Sequence, residues 1–287
     1  SMNFKQTLLA AALCLPAMSQ AMTLKASDVH PANYPTVVAV QHMGEKLDAA
    51  TNGDLKIQMF SGGVLGSEKE VVEQTQIGAI QLARITLGVV GPVVPDVNVF
   101  NMPFVFRDHD HMRKVIDGDI GQEILDKITN SEFGLVGLAW MDGGTRSLYT
   151  KKPVRQLSDL KGMKIRVIGN PLFIDTVNAM GGNGVAMDTG EIFSALQTGV
   201  IDGAENNPPS FTSNKHYEIC KHFTLDGHTR IPDMLLIGTK VWGELDPQVQ
   251  AWVQQAANES SDFQRKLWKE KTLESLEQAK AEGVTIY

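Results

Sequence analysis

The sequence predicts an α/β protein made of two α/β units that one long helix braces. Three observations carry this. Strand-like and helix-like segments alternate through residues 23–85, a second alternation runs through 133–205, and residues 246–281 keep a helical period longer than one small unit needs. The chain has 287 residues, 43% apolar and 21% charged, the balance of a folded protein with room for one large domain or two lobes.

The first 21 residues read as a secretory signal peptide. Lys5 gives the positive start, Leu8 to Leu15 the apolar stretch, Pro16 the break, and Ser19-Gln20-Ala21 a small-x-small cleavage site. The apolar stretch falls short of the ~20 residues that span a bilayer; a buried first helix is the competing reading. Leu13 before Cys14 excludes a lipoprotein site. Removal of Lys5 with this segment takes the formal charge from −7 to −8. An acidic chain points away from nucleic acid and anionic membranes as partners. Cys220 is then left alone, a buried structural thiol with no disulfide partner. A periplasmic location fits these facts.

In order, Thr23 to Asp28 reads as a strand and His30-Pro31-Ala32-Asn33-Tyr34 as a polar loop. Residues 35–50 place Val37, Val40, Met43 and Leu47 on one helical face, with Gly53 as the stop. Leu55 to Phe60 alternates as a strand. Ser67-Glu68-Lys69-Glu70 is a capping box opening a helix, and Ile80 to Ile85 is a strand. This order implies a parallel sheet. Phe133 to Trp140 is an apolar strand that runs into the turn Asp142-Gly143-Gly144-Thr145-Arg146, and Met163 to Ile168 is the next strand. Asp188 to Glu191 opens a helix with Ile192, Phe193 and Leu196 inward, and Ile201 to Glu205 is a strand ending in Asn206-Asn207-Pro208-Pro209. Residues 246–281 form a rod of roughly 50 Å at ~1.5 Å per residue, and Val284 to Tyr287 begins a further strand. The expected organisation is 1–21 signal peptide, 22–145 mainly lobe 1, 146–235 mainly lobe 2, and 236–287 a strand and long helix bridging the lobes.

Ligands of open α/β sheets bind beyond the carboxyl ends of the strands. His30, Asn33, Arg84, Arg146, Arg166, Asn206 and Asn207 fall at or near such ends. Arg166 interrupts the apolar run Ile165-Arg166-Val167-Ile168. A guanidinium is rarely buried without a partner, and its planar fork pairs with a carboxylate. From the residues alone it can equally be paired to an internal acid or face solvent; Arg146 has the same readings, and His30 can be a loop residue with no role. No Gly-x-Ser-x-Gly elbow, Walker loop, Gly-x-Gly-x-x-Gly or His-Glu-x-x-His occurs. His109 and His111, two apart at a helix start, face different sides and read as solvated rather than metal-binding. No metal, cofactor or catalytic residue is expected.

The chain resembles the solute-binding subunits of TRAP transporters, of the C4-dicarboxylate-binding class, over nearly its whole length after residue 21. The resemblance lies in Leu65 to Glu70, Asn101-Met102-Pro103-Phe104-Val105-Phe106 with Asp108 to Met112, and Gly144-Thr145-Arg146. It continues in Leu160 to Val167, Gln197 to Asn206 and Leu236 to Trp242. It implies a two-lobe periplasmic-binding-protein clamshell with a long bracing helix, working with membrane permease subunits. It also implies that Arg166 makes the main salt bridge to a substrate carboxylate, with Arg146 as second cation and Asn206 as donor. Glu68 and the His30 loop would face the substrate's other end. Family members continue past a segment like 284–287 with another helix, which leaves the terminal brace and any dimer contact open.

Arg84 adds a third cation or donor. The polar set His30, Asn33, Glu68, Asn170, Asn206, Asn207 and Asp233 suits a ligand with several hydroxyls. The expected ligand is therefore a small organic-acid anion of the sugar-acid type: a hexuronate such as glucuronate or galacturonate, or an aldonate. A C4-dicarboxylate or other small carboxylate is the alternative. A secreted sugar-acid enzyme using His30 or Glu68 is a reading from another class, and ligand sensing for a membrane receptor is a third.

Overall fold

The computed structural model describes residues 21–287; the signal-peptide segment lies outside the described residues, apart from Ala21. Two sheets form two lobes. The first is built from β1 (Met22–Ser27), α1 (Pro35–Ala50), β2 (Leu55–Phe60), α2 (Glu68–Gln76), β3 (Leu82–Thr86), α3 (Leu87–Val90), α4 (His109–Ile116), α5 (Asp119–Thr129) and β4 (Leu135–Met141). The chain then crosses to the second sheet through β5 (Thr145–Thr150), β6 (Lys164–Val167), α6 (Pro171–Ala179), β7 (Asn183–Ala186), α7 (Ile192–Gln197), β8 (Gly203–Asn206), α8 (Pro208–Ser213) and β9 (His222–Arg230). It returns with β10 (Asp233–Gly238) and α9 (Thr239–Glu244), runs along α10 (Pro247–Ala281), and ends on β11 (Thr285–Ile286).

The strand orders are β2-β1-β3-β10-β4 and β11-β9-β5-β8-β6-β7. The expected parallel pairing holds for β1 with β2 and with β3, but β10 enters antiparallel between β3 and β4, so the first sheet is mixed. Local periodicity carries no record of a strand that arrives from the far end of the chain. The strand expected from Phe133 starts at Leu135, because Gly134 takes φ +80° and Phe133 is exposed. Phe193 is half-buried, while Ile192 and Leu196 turn inward as their spacing predicts.

The capping box at Ser67 forms as read: its hydroxyl accepts from the Glu70 N–H at 3.2 Å, and the Glu70 carboxylate accepts from the Ser67 N–H at 3.4 Å. Cys220 is a buried free thiol, pushed by burial up to about 12. No helix of the described residues is long and apolar enough to cross a membrane.

The long helix α10 belongs to both lobes. Its first half packs Val249, Val253, Ala256 and Ala257 into the core that holds Leu24, Val40 and Leu47. Its far end places Ala279 in the lobe 2 core beside Phe211 and Phe223, and the Thr212 and Ser275 hydroxyls bond at 3.1 Å. Midway, it grips the first crossover. Gln264 accepts from the Asp142 N–H at 2.8 Å and donates to the Asp142 carbonyl at 2.9 Å, all buried. The two crossovers touch: a Cβ on Gly143 would lie 2.2 Å from the Ile231 carbonyl oxygen. Gly144 takes φ +67°, and a Cβ there would lie 2.9 Å from the Trp268 ring. Both positions thus require glycine.

Replacing Gln264 with Ala would strand a buried N–H and carbonyl at the hinge. The expected cost is roughly 1–3 kcal/mol, read in urea unfolding as a lower midpoint with an unchanged slope.

Candidate functional site

The carboxyl ends of β1, β3, β6 and β8 converge with β5 and β10 on a narrow polar cleft between the lobes. From lobe 1 it is lined by His30, Glu68, Arg84, Thr86 and Asp233; from lobe 2 by Arg146, Arg166, Thr189, Asn206, Asn207 and Ser210. Arg166, Glu68 and Thr189 also line a larger cavity of about 470 Å³, within the range of small-molecule sites.

Arg166 is set by strand alternation. Ile165 and Val167 enter the apolar core and Arg166 takes the other face of β6. It is 3% exposed, and its Nε donates to the Met187 carbonyl at 2.8 Å. Among the described residues it forms no ion pair. Burial, and then the neighbouring charge of Arg146, lower its pKa from the usual arginine value. The site therefore holds a buried cation with an unmet demand for negative charge.

Arg146 differs. Its Nε and Nη2 clamp the Glu205 carboxylate at 2.7 and 2.9 Å, and Nη1 donates to Asn206 Oδ1 at 3.1 Å. Burial works against its charge, but Glu205 raises its pKa on balance. Glu205 in turn is opposed by burial, yet Arg146 and His228 hold it down at about 2. His228 is bonded to both Glu205 and Asp226, at 3.1 and 2.6 Å; these acids outweigh burial and lift it to about 9. Arg146 thus lines the cleft with its fork already closed on an internal acid.

Arg84 is enclosed in the same way. Nη2 meets Asp28 at 2.7 Å, and Nη1 meets Glu68 at 2.9 Å and Asp233 at 3.4 Å. Asp28 is further fixed by the Thr36 hydroxyl at 2.6 Å, and Glu68 accepts the Thr86 N–H at 3.0 Å. The third cation or donor expected at Arg84 is therefore caged by acids. Asp233 has the longest contact of the three acids. Burial, opposed by Arg84 and reinforced by Glu68 and Asp28, raises it to about 8. His30 stacks on Tyr34 with ring centroids 3.7 Å apart. Burial and then Arg84 depress its pKa to about 3, so it is a neutral imidazole whose Nδ1 has no partner.

Eight of the expected site residues thus meet here: His30, Glu68, Arg84, Arg146, Arg166, Asn206, Asn207 and Asp233. Asn207 is largely structural: its Oδ1 accepts the Ser210 N–H and its Nδ2 donates to the Gly143 carbonyl, both at 2.8 Å. Two others fall elsewhere. Asn33 is exposed on its loop, and the next residue, Tyr34, turns inward. Asn170 caps α6 and donates across the lobe boundary to the Gly88 carbonyl at 3.0 Å and to Asn98 at 2.9 Å. It closes the lobes and does not face the cleft. Asp28, Glu205 and Tyr34 were missed. Glu205 and Asp28 carry the signal used for Arg166, a charge at the end of a buried strand.

A second contact ties the lobes: the Tyr34 and Ser210 hydroxyls bond at 2.9 Å. His109 and His111 open α4 and point apart, His109 to Asp142 and His111 to the Arg107 N–H.

Two lobes closed over a buried cation define a protein that captures an anionic solute. The model of the bacterial extracellular solute-binding proteins, family 7, matches residues 26–287, and the chain belongs to that family. A solute-binding protein of Chromohalobacter salexigens is 36% identical over 93% of this chain and 80% of its own. A TRAP periplasmic solute-binding protein from Pseudomonas putida F1, solved with bound D-glucuronate, superimposes with a TM-score of 0.92 at 65% identity, covering 92% of this chain and 87% of that one. A Citrobacter koseri protein of this kind, solved with D-glucuronate, gives 0.92 at 51% identity, covering 93% and 89%. Its apo, open structure gives 0.82 at 50% identity, covering 92% and 88%. The present arrangement is nearer the ligand-bound form of that protein, in keeping with the Tyr34–Ser210 and Asn170–Asn98 bonds across the lobes.

Asp233 and His228 make stability depend on pH with a defined sign. Between 3.8 and about 8 the folded chain holds an Asp233 proton that the unfolded chain has released, so stability falls as pH rises through that window. His228 stabilises fully below 6.5, and this is lost as pH rises through about 9. The melting temperature of the ligand-free protein is expected to fall from pH 6.5 to 9. Asp233→Asn should remove the part that ends near 8 and His228→Gln the part that ends near 9, as thermal melts at each pH would show.

Proposed function

We propose that the protein is the extracytoplasmic binding subunit of a TRAP transporter and that it captures a hexuronate, D-glucuronate or D-galacturonate, through a salt bridge between the ligand carboxylate and Arg166. The observation that carries this is the buried Arg166 guanidinium, without an acid of its own among the described residues, at the junction of the two lobes. A buried cation costs several kcal/mol unless it is paired, and a ligand carboxylate supplies the pair. Asn206 supports the same end of the ligand: its Oδ1 is held by Arg146 and the Asn207 N–H, and no bond among the described residues takes its Nδ2. The ligand's identity is supported by the D-glucuronate held by the Pseudomonas putida and Citrobacter koseri proteins.

Capture couples to closure. The open lobes admit the anion, and closing removes water from the salt bridge and strengthens it. The loaded subunit then delivers its ligand, chemically unchanged, to the membrane permease subunits. On this reading the chain works in the periplasm after loss of residues 1–21, so the secreted protein should begin at Met22 on N-terminal sequencing.

Calorimetric titration tests the assignment. The wild-type protein should bind D-glucuronate or D-galacturonate. Arg166→Ala should lose roughly 2–5 kcal/mol, about 30-fold to several thousand-fold in Kd. Equal affinity in the variant defeats the role of Arg166. Heat with malate or succinate and none with either uronate defeats the hexuronate, and a uronate altered after incubation would make the protein an enzyme.

A further inference from the structure

The two walls of the cleft differ in sign, and we propose that this polarity restricts the site to ligands with one carboxylate that present hydroxyl groups, not a second carboxylate, to the lobe 1 wall. This rests on the sugar-acid reading above and sharpens it, with Glu68 and Asp233 as the residues that set the specificity.

The count of charges is simple. On the lobe 2 wall Arg146 is matched by Glu205, and Arg166 has no acid among the described residues, so one positive charge is left. On the lobe 1 wall the single guanidinium of Arg84 faces Asp28, Glu68 and Asp233. Even with the Asp233 proton retained, acids outnumber the cation there. Arg84 offers an incoming anion no fork: both of its terminal nitrogens are directed at these acids, its one unpartnered donor, Nε, is buried, and the side chain is only 1% exposed. A second ligand carboxylate reaching this wall would meet like charge, with no free donor fork to offset it. Like-charge contact in a desolvated site costs several kcal/mol, which corresponds to a loss of about 100-fold or more in affinity.

A hydroxyl meets the reverse situation. Glu68 accepts from it, and Asp233 in its protonated form donates to it. The charged and titratable groups around Asp233 are Arg84 on β3, Asp28 after β1, Glu68 on α2, Arg146 on β5 and Tyr34 ahead of α1. Burial keeps the proton on Asp233 near neutral pH, with Glu68 and Asp28 adding to it against Arg84. The lobe 1 wall is thus rich in acceptors with one acid proton, a surface for alcohols.

The experiment is a titration panel on the full protein: D-glucuronate and D-gluconate against D-glucarate and succinate. Glucarate is gluconate with its terminal CH2OH replaced by a carboxylate, so the pair isolates the second charge. Glucarate and succinate should bind at least about 100-fold more weakly than the best monocarboxylate. Glu68→Gln should narrow that gap about 10-fold, by gain of dicarboxylate binding; Asp233→Asn, neutral in place of a carboxyl that keeps its proton, should leave the gap unchanged near pH 7 and abolish its widening above about pH 8. A dicarboxylate bound within about 10-fold of the best monocarboxylate by the wild type overturns the inference, as does an unchanged gap in folded Glu68→Gln. Gluconate bound in strong preference to glucarate, with glucuronate silent, upholds the inference while removing the hexuronate.

Discussion

A guanidinium withdrawn from water, with no carboxylate brought to meet it, is the constraint around which this molecule is arranged. Most buried charges here are neutralised at once: Arg146 by Glu205, Arg84 by Asp28 and Glu68, His228 by Glu205 and Asp226. Arg166 has one carbonyl for its Nε and the repulsion of Arg146 beside it. In an effective dielectric of about 20, two unit charges 4 Å apart interact by about 4 kcal/mol. A ligand carboxylate at that cation therefore gains energy on the scale of the burial penalty it relieves. The fold holds part of its binding energy in advance, as an unsatisfied charge.

In the proposed capture that charge becomes useful as the lobes part, the arrangement seen in the open structure of the Citrobacter koseri protein. Only the crossovers at 142–144 and 231–232 and the helix α10 link the two sheets covalently, and Gln264 holds the first crossover to the helix. Away from this hinge the lobes meet through hydrogen bonds, Tyr34 with Ser210 and Asn170 with Asn98 and the Gly88 carbonyl, beside an apolar contact of Gly88 with Ile168 and Phe173. Neutral hydrogen bonds are worth about 0.5–1.5 kcal/mol each when exchanged against water. Two or three of them bias closure without fixing it. A ligand that bridges the walls supplies differential affinity for the closed state, which is what shifts such an equilibrium.

Much of this architecture was legible in the chain. The long helix could be read almost to the residue, because its apolar and small positions recur without interruption and Pro247 marks its first turn. The capping box at Ser67 placed Glu68 at a helix start, and the apolar flanks of Arg166 singled it out while leaving its partner open. The place of β10 in the first sheet was not legible, since a strand that returns from the second lobe leaves no local period. Nor was the difference between a free and a caged arginine. Arg84, Arg146 and Arg166 look alike in sequence, and their partners lie far away along the chain: Asp233 is 149 positions from Arg84 and Glu205 is 59 from Arg146. Asn33 failed by one position, because the first turn of α1 carries Tyr34 inward and leaves its neighbour in water. Asn170 failed because cap and clasp use the same amide chemistry as ligand recognition.

The caging of Arg84 has a reason that follows from the same electrostatics. Three carboxylates gathered on one wall of the cleft would repel one another and drift toward neutrality. A guanidinium placed among them, with Asp28 and Glu68 at hydrogen-bond distance, holds the Asp28 carboxyl below its usual range and fixes the oxygens of both. Asp233, the most weakly held, takes up the proton that the cluster cannot release. His30 adds a neutral ring stacked on Tyr34 where a charged one would upset this balance. The wall thus presents oriented acceptors and one acid proton, while the free positive charge stays across the cleft on Arg166. Lobe 2 supplies the attraction for an anion, and lobe 1 supplies the hydrogen-bond pattern by which its neutral end is recognised.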